Sequence, residues 1–136
     1  MNRIVTGLAL GLVTLSQLVA TPALADDSSK KEAYDMSIRC ASYEVAFASF
    51  LLIAEKKTQA DKAQEGAQKW LEMAAKISDK GEAGAIADFK ARSDVDAKEL
   101  TALITADGGA DKMAEKLGPC AQMEKSLYGK SYLDKE

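Results

Sequence analysis

The stretch MSIRCASYEVAFASFLLIA, residues 36–54, decides the fold. Stepping 100° per residue puts Met36, Cys40, Tyr43, Phe47, Phe50, Leu51 and Ala54 on one stripe, the spacing by which a helix buries one side. A long helix is therefore expected from about residue 30 to 57, entered through the polar run 26–31 with Ser28 or Ser29 as its cap.

Toward the C-terminus the same period recurs three times. A second helix is expected over about 58–78, capped by Thr58, and it carries Ala60, Ala63, Ala67, Trp70, Ala74 and Ile77 inward. Such a face of small residues with one large anchor lets a neighbour approach closely. A third helix is expected over about 82–106, with Ile86, Phe89, Ala97, Leu100, Leu103 and Ile104 inward and a weakly apolar middle, 92–96, where a kink is expected. Asp107-Gly108-Gly109 closes it. A short helix follows over 110–117, and Pro119 is expected to break it and open another to about 128, with Cys120, Met123 and Leu127 inward. No segment alternates as a strand does. The fold class is all-α, a small four-helix bundle or four helices and one short one.

Toward the N-terminus, Met1-Asn2-Arg3 is basic, residues 4–20 are apolar, and Thr21-Pro22-Ala23-Leu24-Ala25 ends in small residues at the two positions a signal peptidase reads. This is the layout of a cleaved secretory leader, 1–25, ahead of a single helical domain, 26–136. The apolar stretch is interrupted by Thr14, Ser16 and Gln17 and is too short for a span, so no stable membrane anchor is expected after cleavage. A periplasmic or secreted product follows.

An oxidising compartment makes the two cysteines, Cys40 and Cys120, an expected intrachain disulfide between the first and last helices. Both sit at inward positions, and their spacing is far from C-x-x-C, which argues against a redox-active pair.

Composition excludes whole classes of chemistry. The chain has no histidine, so Ser-His-Asp and Cys-His catalysis, histidine metal sites and histidine-ligated haem have no residues to work with. Serines occur without a G-x-S-x-G or S-x-x-K pairing. With Arg3 removed in the leader, 17 basic residues face 21 acidic ones, interspersed along the chain, and nucleic acid is not an expected partner. Asp94, Asp96 and Glu99 lack the glycine and spacing of a calcium loop and are expected to lie on a solvated helix face. No catalytic residue, metal or cofactor is expected.

Two sets of residues remain as candidates for binding. Ile38, Ala41, Val45, Ala48 and Leu52 form a second apolar strip on the first helix with a seven-residue recurrence, either a seam for another protein or a second copy, or the mark of a central helix touching neighbours on both sides. Tyr43, Phe47, Phe50, Trp70 and Phe89 are placed to line an apolar ligand pocket between helices or simply to pack together. The plan of leader, small helical domain and single disulfide resembles that of the periplasmic acid-stress chaperones and the helical immunity or inhibitor proteins of Gram-negative bacteria, a likeness of plan with no motif carried over. The expected function is non-enzymatic binding of another protein, as inhibitor, immunity factor, chaperone or envelope accessory. The alternative is a carrier of a small apolar ligand.

Overall fold

Small side chains set how closely the helices approach. In the computed structural model, which describes residues 27–134, the four helices are α1 (Asp27–Ile53), α2 (Lys57–Ile77), α3 (Gly81–Ile104) and α4 (Gly109–Tyr128). No strand occurs among the described residues. The leader read at 1–25 lies outside them.

Ala60, Ala63 and Ala74 of α2 are wholly buried, the first two with Ala48 and Leu51 of α1 and the third with Ile38 of α1 and Ala85 of α3. Between these contacts lies the main core, where Cys40, Ala41 and Tyr43 meet Trp70, Leu100, Leu117 and Cys120. The expected bond between Cys40 and Cys120 is present, with Cα atoms 5.6 Å apart. α1 and α3 each touch all three other helices, and α1, with the more extensive contacts, is the central element.

Boundaries and register differ from expectation in ways with local causes. α1 ends at Ile53, four residues early, because Glu55 takes a left-handed conformation (φ 59°) and the chain doubles back. There Lys56 N–H bonds the Leu51 carbonyl and Glu55 N–H that of Leu52, a Schellman closure. α2 consequently starts at Lys57, and Thr58 falls inside its first turn instead of capping it. α3 runs unbroken through its middle, where Arg92 and Asp96 close an ion pair across one turn, Nε to Oδ2 at 2.7 Å. Nor does Pro119 break the last helix, since α4 runs through it. The hydrogen bond that proline forfeits belongs to the carbonyl of Glu115, and both residues lie on the exposed side, where water satisfies the carbonyl. Leu117 and Cys120, buried on the opposite side, hold the helix in place.

By length and composition alone α1 is apolar enough to cross a membrane, where no segment after the leader is expected to be. Half of its most apolar window is buried against the other helices.

Candidate functional site

The core contains a polar centre that the hydrophobic pattern conceals. Glu44 of α1 and Glu124 of α4 are both wholly buried. The indole N–H of Trp70, from α2, is shared between them, donating to Glu44 Oε1 at 2.8 Å and to Glu124 Oε1 at 3.1 Å. Glu124 Oε2 accepts two further bonds from the segment after α4, one from Ser131 Oγ at 2.9 Å and one from the backbone N–H of Tyr132 at 2.8 Å. Glu44 Oε2 receives no donor from any other group.

The two carboxyls thus converge on one indole N–H in a buried site, an arrangement that disfavours a charge on both. Burial, reinforced by the hydrogen bond to Glu124 and its charge, pushes Glu44 up to about 10, and the Trp70 N–H offsets only part of this. Glu44 is therefore protonated at neutral pH.

Backbone geometry makes this arrangement possible. Glu44 and Glu124 each stand four residues, one helical turn, beyond a half-cystine. The bond that joins Cys40 to Cys120 therefore also brings the carboxyls together. On α2, Gly66 lies one turn before Trp70 and leaves the space they fill: a Cβ there would collide with Glu44 Oε2, and would come within 2.8 Å of Tyr132 Cβ and 3.0 Å of Glu124 Oε1. Gly129, in the left-handed conformation (φ 72°), ends α4 and turns the chain back so that Ser131 and Tyr132 reach Glu124.

Nearer the surface, polar ties hold α3 to its neighbours. Tyr34 Oη donates to Asp88 at 2.6 Å, and burial with that carboxylate pushes the phenol up to about 12. Tyr43 Oη donates to Glu99, whose other oxygen pairs with Lys116 of α4 at 2.6 Å. The acidic run accordingly does not form one solvated face: Asp94 is exposed, but Asp96 is buried against Arg92 and Glu99 is engaged with Tyr43 and Lys116. No group of three metal-ligating side chains occurs among the described residues.

The strip on α1 divides. Ile38, Ala41 and Ala48 are taken up by the chain's own core, as befits a central helix. Val45 is half-buried and Leu52 is 46% exposed. Val45 lines an open groove of about 430 Å³ between α1 and α3, together with Ala46, Phe50, Ile53, Ala97 and Ile104. Ser42 lies at its floor with a buried hydroxyl that has no partner. Of the five rings proposed for a ligand pocket, Tyr43 and Trp70 belong to the main core and Phe47 and Phe89 pack against it. Phe50 lines the α1/α3 groove instead, so the five do not enclose one cavity.

Comparison with family models, curated proteins and solved structures finds no match. Sequence reasoning missed Glu44, Glu124 and Gly66, and it set Met123 and Leu127 inward on α4, where they are 39% and 46% exposed. The true inward series is Leu117, Cys120 and Glu124. A signal for it exists in C-x-x-x-E occurring at both cysteines.

Proposed function

We propose that this is an exported, non-enzymatic helical protein that acts by binding another protein, and that the partner lays an apolar helix face into the groove between α1 and α3. The groove carries the reading. It is partly open to solvent and walled by Val45, Phe50 and Ile104, and Ile53 at its end is 82% exposed. A small apolar ligand is normally enclosed over most of its surface, which an open groove does not provide. A helix with apolar side chains every three or four residues suits such a groove. The composition, with no histidine to activate a nucleophile, supports a binding role over an enzymatic one.

The disulfide is compatible with export, and the export reading adds that the leader is removed and the mature chain, beginning at Asp26, works in the periplasm or outside the cell. Native mass spectrometry of periplasmic material tests both parts. The expected species starts at Asp26 and carries a protein partner that Ile53→Glu and Val45→Glu each displace, with helicity retained. Ile53 is exposed enough that its replacement leaves the fold alone. A chain that keeps Met1 refutes cleavage. A complex that survives both substitutions, or a small molecule in the partner's place, refutes the docking reading.

A further inference from the structure

We propose that Glu44 and Glu124 form a one-proton latch: the proton they share fastens the C-terminal segment, residues 129–134, onto the helices, and its loss releases that segment.

The segment is held in an unusual way. It forms no helix, yet Ser131 and Tyr132 are buried to 8% and 7% exposure, and Leu133 packs against the core. Among the described residues, both of its inward hydrogen bonds end on a single atom, Glu124 Oε2. Its other polar ties are peripheral: the Lys130 ammonium lies 4.7 Å from the centre of the Tyr132 ring, and Asp134 pairs with Lys125 on the surface. Fastening of this segment therefore depends on Glu124 staying where it is.

What surrounds Glu44 determines what happens when the proton leaves. Glu124 faces it from α4 and the Trp70 N–H from α2. The backbone of Gly66, also on α2, and Tyr132 Cβ, from the segment, lie close to it. No lysine or arginine is among the groups that act on its charge. A second negative charge would thus meet a like charge in a dry site, with one indole N–H to serve both. The carboxyls cannot part by separation of α1 from α4, because each is fixed one turn beyond a half-cystine of the same disulfide. The movable wall is the segment. Its departure admits water to both carboxylates.

The direction of the pH effect follows from linkage. Glu44 binds its proton more tightly in the folded chain, about 10 against 4.5, so its stabilising contribution is complete below about pH 4.5 and is lost as pH rises toward 10. The latch is firmest in acid and loosens progressively as pH rises toward alkali.

Glu44→Gln tests this, because glutamine keeps the shape and donates a hydrogen bond to Glu124 without ionising. Wild type, Glu44→Gln and Glu124→Gln are compared at pH 6 and pH 9, reading brief trypsin cleavage after Lys130 and urea unfolding. Relative to Glu44→Gln, the wild type's unfolding constant is expected to rise about tenfold per pH unit, one proton's worth. Its cleavage after Lys130 is expected to rise at least tenfold from pH 6 to pH 9, while Glu44→Gln stays slow at both. Glu124→Gln, which puts an amide –NH2 where one of the two accepting oxygens stood, is cut readily even at pH 6. Identical pH dependence in wild type and Glu44→Gln overturns the proposal. Should Glu44→Gln not fold, carboxyl ¹³C resonances of glutamate-labelled wild type decide: one carbon titrating far above the rest upholds the shared proton, and all titrating in the ordinary carboxylate range overturns it.

Discussion

Replacing Cys40 or Cys120 by serine is expected to lower the melting temperature by roughly 10–20 °C, and replacing both should cost no more than replacing either. The bond closes a loop with a sequence separation of 80, for which loss of unfolded-state entropy gives ~4.5 kcal/mol as an upper figure and ~2–4 kcal/mol as a usual one. The upper part of that range is favoured by how little else holds α4. Besides Cys120, its buried residues are Gly109, Leu117 and Glu124. The same bond also holds Glu44 and Glu124 together, so its loss weakens two contacts at once. Differential scanning calorimetry on the two single variants and the double variant checks the pattern. A double variant that melts within a degree or two of wild type would show that packing alone positions α4.

Trp70→Ala should destabilise the chain by ~3–5 kcal/mol, a large part of the ~5–15 kcal/mol by which a domain of this size is stable. Two effects are combined in that figure. Removing the ring empties the middle of the main core, where Trp70 is 1% exposed. Removing the N–H takes a donor from two buried carboxyls that share it. Trp70→Phe separates them, because phenylalanine restores most of the apolar volume and none of the donor capacity. A hydrogen bond to a charged group is worth ~1.5–3 kcal/mol, and Trp70→Phe is expected to lose about that amount. Urea denaturation at pH 6 gives both values. If Trp70→Phe is as stable as wild type, the indole N–H contributes nothing net and the polar centre is held by packing.

The parts of this fold legible in the sequence were those governed by apolar period. Met36, Cys40, Tyr43 and Phe47 marked the buried side of α1, and the alanines of α2 marked a close approach. Helix ends were less legible because they depend on backbone conformations such as the left-handed Glu55, a residue type with no strong preference for it. Pro119 misled for a related reason. A proline's cost depends on which side of the helix loses the bond, and that is a tertiary fact. The polar centre was hidden because a period count treats glutamate as outward by rule. Glu44 and Glu124 occupy inward positions that the count assigned to neighbours, such as Met123 on α4. Gly66 was passed over because nothing local requires glycine in mid-helix; only the carboxyls above it do.

The chain has one tryptophan, and its indole nitrogen is bonded to both members of the carboxyl pair. Emission excited at the red edge of the indole band therefore reports one place, with the chromophore bonded to the groups whose charge is of interest. Indole emission shifts and dims when a full carboxylate replaces a neutral carboxyl beside the ring and when water enters its surroundings. The protein thus comes with its own optical indicator, requiring no label and no added cysteine that would compete with the disulfide. Tyrosine ionisation contributes to the same spectra at high pH, and the difference between wild type and Glu44→Gln removes it.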